Sequence, residues 1–133
     1  YAVYPHQSNW QSARTPHYAQ ALNIPLRAHI PEFIRSAAEP ADVSSSRSFL
    51  SLDSEHLILS AFKLSESDSN QFIARYYDAY GQSPGGANSP LNNSLGLLPG
   101  ETLNLLEDPI EHCPDRPYQI QTHSLYFQET GEL

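Results

Sequence analysis

The chain has 133 residues, 39% of them hydrophobic, which suits one core and a single domain spanning 1–133. Its 15 acidic residues against seven Lys and Arg leave a net charge of −8, which excludes the basic face that a nucleic-acid backbone requires. One cysteine, Cys113, excludes an internal disulfide framework and fits a reducing, cytoplasmic compartment, and no apolar run approaches the ~20 residues of a membrane span.

Tyr1-Ala2-Val3-Tyr4 is a β-prone run ended by Pro5, and it reads as an edge strand or the end of one. Ser8 and Asn9 are good N-caps, and Trp10, Ala13, His17 and Ala21 then follow at helical steps of three and four. Pro16 breaks a hydrogen bond inside a helix, but Thr15-Pro16 is also a natural cap with a first-turn proline. The pattern predicts either two short pieces, about 9–14 and 16–22, or one kinked helix, with Trp10 on the inner face and a stop at Asn23 and Pro25. Residues 26–30 read as a strand or extended crossing. Residues 31–47, rich in Ala, Glu, Pro and Ser, read as a surface loop.

Three apolar runs of strand length follow, at 48–53, 56–64 and 71–78, separated by turn-forming Ser, Asp, Glu and Asn. This is the sequence form of an antiparallel meander. In the middle run Leu57, Leu59 and Ala61 point one way and Ile58, Phe62 and Leu64 the other, which predicts a central strand covered on both sides. In the third run Phe72, Ala74 and Tyr76 share one face, and Ile73, Arg75 and Tyr77 the other. Residues 81–93, dense in Gly, Pro, Asn and Ser, read as a flexible loop. Two apolar runs, 94–98 and 101–106, flank the turn dipeptide Pro99-Gly100. After a loop over 108–117, the last strand runs from Tyr118 to Gln128. There Tyr118, Ile120 and Thr122 share one face and Leu125 and Phe127 the other, so a bulge or twist near His123 is expected. The acidic end, 129–133, reads as frayed. Seven or so short strands with one short helix near the N-terminus make a mainly β protein, an antiparallel β-sandwich with a short helical insertion.

The chemistry-bearing residues form no familiar constellation. His6, His17, His29, His56, His112 and His123 show neither the i, i+4 nor the His-x-His spacing of a ligand pair, so no metal ligand is expected. No nucleophile elbow or phosphate-binding glycine motif is present. Cys113 follows His112 in an acidic, proline-containing loop that shows nothing to lower a thiol pKa. The carboxylate pairs Asp53/Glu55, Glu66/Asp68 and Glu107/Asp108 fall in turns, where they read as solvated caps. Nothing sets two of them ~5 Å apart, as retaining glycoside hydrolysis needs. No catalytic, metal-binding or cofactor-binding residue is therefore expected. Tyr76, Tyr77, Tyr80 and Tyr126 allow a sugar-stacking face, although core and cross-strand packing is the simpler reading. The chain begins at Tyr1 and holds no Met, which we read as the mark of a piece of a longer protein.

Several patches, in order, resemble one family. Tyr4-Pro5-His6, Trp10, Ala13 and Leu22-Asn23-Ile24-Pro25-Leu26 form the first; Phe49, Leu52, residues 57–63, Ile73, Arg75 and Tyr77 the next. Asn104-Leu105-Leu106-Glu107 and Pro117-Tyr118-Gln119-Ile120-Gln121-Thr122 complete the set. Together they resemble the C-terminal region of glycoside hydrolase family 38, the α-mannosidases, in its cytosolic, vacuolar and bacterial branch. Ser8-Asn9 stands where the family often has Gly-Asp, and Gln119 where it often has Glu. The resemblance implies a β-sandwich that supports a catalytic barrel elsewhere in a parent enzyme acting on mannose-containing glycans. The barrel would hold a zinc ion and an aspartate nucleophile. No such residue is carried over onto this chain, so no cofactor is expected within it. The expected partners are the barrel and other domains of the parent, with no nucleic acid and no membrane. Pro5, His6 and Trp10 are the candidate positions for a barrel interface or the border of the sugar site. The alternative for them is structural: Trp10 docks the helix on the sandwich end, with His6 hydrogen-bonded beneath. The alternative for the chain is a carbohydrate-binding or structural sandwich of another protein.

Overall fold

The computed structural model describes residues 1–28, 46–82, 90–111 and 116–127. The expectations for most of the 29–47 region, for the heart of the 81–93 loop, for His29, His112 and Cys113, and for the acidic end lie outside these residues. The chain divides into two compact units, Tyr1–Arg47 and Ser48–Leu133.

The second unit is all β, with strands β1 (Leu50–Leu52), β2 (Leu57–Leu64), β3 (Gln71–Asp78), β4 (Leu91–Asn93), β5 (Leu97–Leu103) and β6 (Ile120–Phe127). They form two antiparallel sheets, a pair β1-β4 and a four-stranded sheet in the order β2-β3-β6-β5. The fold class is the expected one, mainly β with sandwiched sheets. The expected meander holds for β2 and β3 only, since the first run pairs with β4 instead: Leu50 lies opposite Asn93 and Leu52 opposite Leu91. β4 itself emerges from the end of the stretch read as a loop.

β2 is an outer strand, not the central one; β3 and β6 occupy the middle. The alternation pattern misled because β2 carries a bulge. Leu59 pairs with Tyr76 but Ala61 with Arg75, so Ser60 is the extra residue, and its hydroxyl donates to the Arg75 carbonyl at 3.0 Å. One inserted residue reverses the facing of everything after it. Leu59 and Phe62 therefore reach the same core despite their odd separation. The bulge expected at His123 does not occur, because β6 keeps unbroken register with β3 from Gln71↔Tyr126 to Tyr77↔Ile120. β6 is apolar on two faces because both of its faces are buried.

Residues opposite each other on a ladder share a face. On the face turned to the small sheet, Ala74, Leu97 and Leu125 pack with Leu91, and Leu50, Leu52, Leu59, Phe62 and Phe72 close around them. The Phe62 and Phe72 rings stack at 5.4 Å, and Phe127 meets Phe72 edge-on at 5.5 Å. Farther along, the His123 ring lies parallel to that of Tyr76 at 5.6 Å, and burial lowers its pKa from the ordinary 6.5. The opposite face is buried as well, at Ile58, Ile73, Leu103, Thr122 and Ser124.

Pro99-Gly100 makes no turn. β5 runs straight through it, with a register shift between Pro99 and Thr102. Proline is tolerated in an outer strand because its missing N–H need not face a neighbour. At the shift the Glu101 N–H leaves the ladder and donates to the Ser124 hydroxyl at 2.8 Å. The Tyr126 ring and Ser124 hydroxyl occupy the space that a Cβ at residue 100 would need, so the strand passes there only with glycine.

Asp78, at the end of β3, is 1% exposed. One carboxylate oxygen accepts the N–H groups of Tyr80 and Gly81, at 2.9 and 3.0 Å, and the other accepts that of Tyr118 at 3.0 Å. It thus fixes both the exit of β3 and the entry to β6, 40 residues apart. Gly81 and Tyr118 both take left-handed backbone conformations, at φ 73 and 61, and a Cβ at residue 81 would run into the Tyr118 ring. Replacing Asp78 by Asn keeps the shape but turns an amide N–H₂ toward backbone donors. We expect Asp78→Asn to destabilise the chain by about 2–4 kcal/mol, since buried hydrogen bonds to a charged group are among the costliest to lose. A urea midpoint within error of wild type would show that these bonds are dispensable.

Candidate functional site

Pro5, His6 and Trp10 all lie in the first unit and all are exposed. The chain there makes a hydrogen-bonded turn followed by one helix, α1 (Thr15–Asn23). The Asn9 side chain accepts the Ser12 N–H at 2.8 Å and its carbonyl accepts the Ala13 N–H at 3.1 Å, so Asn9 starts the turn as its residue type suggests. The second of the two predicted helical pieces is a helix; the first is this turn. Thr15 does not cap α1. Arg14 holds the cap position in a left-handed conformation at φ 54, and the Thr15 hydroxyl is buried without a hydrogen-bond partner. Pro16 in the first turn presets the helical φ, and the far end closes with the Ile24 N–H on the Gln20 carbonyl at 2.8 Å.

Trp10 sits in the turn, 41% exposed, and not on the inner face of a helix; α1 buries no residue. Tyr1–Tyr4 forms no strand. Tyr4 instead organises an aromatic cluster, its hydroxyl donating to the Ala13 carbonyl at 3.2 Å. Its ring lies 4.7 Å from that of Tyr18 and 5.6 Å from that of His6. Shielding of its hydroxyl, and then the Tyr18 phenol, raises the Tyr4 pKa above 10.0. The His6 Nδ1 lies 3.4 Å from the Gln7 carbonyl oxygen. Ser8 adopts a left-handed φ of 68 that glycine takes without strain.

In the β unit, the tyrosines considered for sugar stacking do not make one open face. Tyr76 is 0% and Tyr80 7% exposed. Tyr77 and Tyr126 point away from Tyr76, opposite Ile120 and Gln71 at the two ends of the β3-β6 ladder. Among the described residues, no group of three or more His, Cys, Asp or Glu is placed to hold a metal ion. Of the turn carboxylates, Asp53 accepts a hydrogen bond from the Asn92 amide across the small sheet.

Glu107 is the carboxylate that sequence reading missed. It was read as a solvated cap, yet its side chain is only 9% exposed and its Oε1 lies 2.6 Å from Lys63 Nζ. Its Oε2 accepts the Ser65 hydroxyl at 3.2 Å and the Glu66 N–H at 3.1 Å. Lys63 also pairs with the exposed Glu66 at 2.8 Å. Glu107 belongs to a turn wound on Asn104, whose side-chain oxygen accepts the N–H groups of Leu106 and Asp108 at 2.8 and 3.0 Å. The Asn104 amide reaches Asp108 at 3.1 Å. Arg75 holds the same turn from β3, with Nη2 on the Leu105 carbonyl and Nε on the Thr122 hydroxyl, both at 3.1 Å. Residues 104–111 thus form a strap that runs from the end of β5 to the β2–β3 hairpin, a link between positions 41 and 42 residues apart that no local motif announces.

With this geometry established, comparison with known proteins gives one match. Residues 56–123, from just before β2 into β6, fit the family model described as the glycosyl hydrolases family 38 C-terminal beta sandwich domain. No curated protein and no solved structure matches the chain.

The Lys63–Glu107 pair carries a pH signature. The hydrogen bond from Lys63, then that from the Glu66 N–H, lowers the Glu107 pKa from 4.5, and the bond to Glu107, then that to Glu66, raises the Lys63 pKa from 10.5. A carboxyl held low adds stability that is complete above its unfolded value and is lost as pH falls through the folded one. An amine held high adds stability that is complete below its unfolded value and is lost as pH rises through the folded one. The difference in urea midpoint between wild type and Glu107→Gln should therefore be flat between pH 4.5 and 10.5 and narrow beyond both limits. A difference unchanged at pH 3 would show that the pair does not form.

Proposed function

The chain belongs to the glycosyl hydrolase family 38 C-terminal β-sandwich domains, and from that premise we propose that it is the non-catalytic domain of an α-mannosidase. The parent enzyme hydrolyses terminal α-D-mannosidic bonds with retention, in the cytoplasm. Its catalytic barrel holds a zinc ion and the nucleophile on residues outside this chain, and the sandwich packs against and supports that barrel. The observation that carries the reading is the family match, whose span includes both long-range ties of the β unit, Asp78 and Glu107. The exposed turn at Pro5, His6 and Trp10 serves as a contact with the barrel or as a border of its sugar site. Exposed aromatic and histidine side chains suit such a contact.

The test is an aryl α-mannoside assay on the parent with and without a zinc chelator, beside this chain alone. Chelator-sensitive turnover by the parent and none by the chain is the expected result. A parent without mannosidase activity, together with saccharide binding by the chain, would replace this reading with that of a carbohydrate-binding module.

In the parent, Trp10→Ala and His6→Ala should lower the temperature of thermal inactivation by several degrees, the effect of losing about 1–2 kcal/mol at a contact. If KM rises at least threefold while thermal stability holds, these side chains touch sugar and do not brace the barrel.

A further inference from the structure

We infer that the turn at residues 104–108 of this strap is latched and opens from the sheet as a body, with the Glu107 carboxylate as its latch. Three observations lead there. Every hydrogen bond and ion pair described between the strap and the end and turn of β2 passes through that one carboxylate, to Lys63, Ser65 and the Glu66 N–H, and Arg75 on β3 adds one further bond, to the Leu105 carbonyl at 3.1 Å. No residue of the strap is fully buried, and Leu105 and Leu106 are 61% and 83% exposed, so little apolar surface holds it down. The turn on Asn104 is closed by its own hydrogen bonds and survives release intact.

Glu107 also sits at a left-handed φ of 72, a conformation that costs a non-glycine residue and relaxes on opening. The hinge lies at β5, where Leu103 bridges to Pro109 and the Ile110 N–H meets the Thr102 carbonyl at 3.0 Å. The charged groups around the latch are Lys63 on β2, Glu66 in the hairpin turn, Arg75 on β3, and Asp108 within the strap itself. Protonation of Glu107 removes the attraction to Lys63 and leaves no competing cation bonded to it. Opening also parts Arg75 from the Leu105 carbonyl and turns a half-buried guanidinium toward solvent.

Amide hydrogen exchange on the chain, expressed as protection relative to intrinsic rates, tests this. The Glu66 N–H donates to the latch and reports its state directly, while the β3 and β6 amides report the sheet. In Glu107→Gln, and separately in Lys63→Gln, Glu66 protection should fall at least tenfold while that of Ile73–Tyr77 and Thr122–Leu125 stays within twofold. In wild type the same selective loss should appear as pH drops below Glu107's pKa, and it should be absent in Glu107→Gln. Equal loss of protection in strap and sheet would overturn the proposal by making the strap part of the global unit. Unchanged Glu66 protection in both variants would overturn it by removing the latch.

Discussion

A buried carboxylate whose partners among the described residues are backbone N–H groups holds the β unit in register with itself. Asp78 takes both charge and geometry from the main chain, from Tyr80 and Gly81 on one side and Tyr118 on the other. Bonds to backbone do not depend on which side chains the neighbours carry, so the joint constrains conformation more than composition. Its constraint falls on two left-handed positions, and one of them, Tyr118, is not glycine. The carboxylate supplies what offsets the strain there. The β3-β6 ladder then runs seven residue pairs without a shift, beginning next to that joint.

Around this fixed pair of strands the molecule is more permissive. β2 and β5 each absorb an irregularity, and each is tied down by polar groups: Ser60 on the Arg75 carbonyl, and Glu101 on Ser124. The side of the large sheet turned away from the core is tied by the Glu107 strap, whose grip is ionic and hydrogen-bonded. Cohesion on the one side is therefore apolar, carried by Leu91, Leu97, Leu125 and the phenylalanines, and on the other the buried Ile58, Ile73 and Leu103 are joined by polar ties. Only the second side adds a contribution that follows pH and salt.

The fold class and most of the strands were legible in the sequence, because alternation of apolar residues over eight positions carries a clear period in β2, β3 and β6. The family was legible too, and the match that shows it covers residues 56–123 of the β unit. Strand neighbours were not. That Leu50–Leu52 pairs with Leu91–Asn93 depends on contacts about 40 residues apart, and a sequential reading assigns it to the adjacent run. The bulge at Ser60 was hidden because a polar residue among apolar ones looks like ordinary alternation. Pro99-Gly100 reads as a turn on dipeptide chemistry alone; only an outer-strand position with Tyr126 laid over the glycine makes it strand. Asp78 closes an apolar run without drawing notice and Glu107 reads as a cap, for nothing in their immediate neighbours shows that the chain returns to bury them. In the N-terminal unit Pro5, His6 and Trp10 were identified by pattern; His6 joins an aromatic cluster around Tyr4 and Trp10 sits in a turn, in place of the predicted strand and inward-facing helix.

Both interruptions of the large sheet fall on its outer strands, at Ser60 in β2 and at Pro99–Gly100 in β5, and neither falls on β3 or β6. A growing fibril or a neighbouring molecule that tried to add a strand would need a continuous row of outward N–H and C=O groups. It would meet a kink beside Ser60 and Lys63 on one side and a missing donor at Pro99 on the other. The same defects that hid the strand pattern from a sequence reader thus deny an incoming strand an unbroken outer edge to pair with.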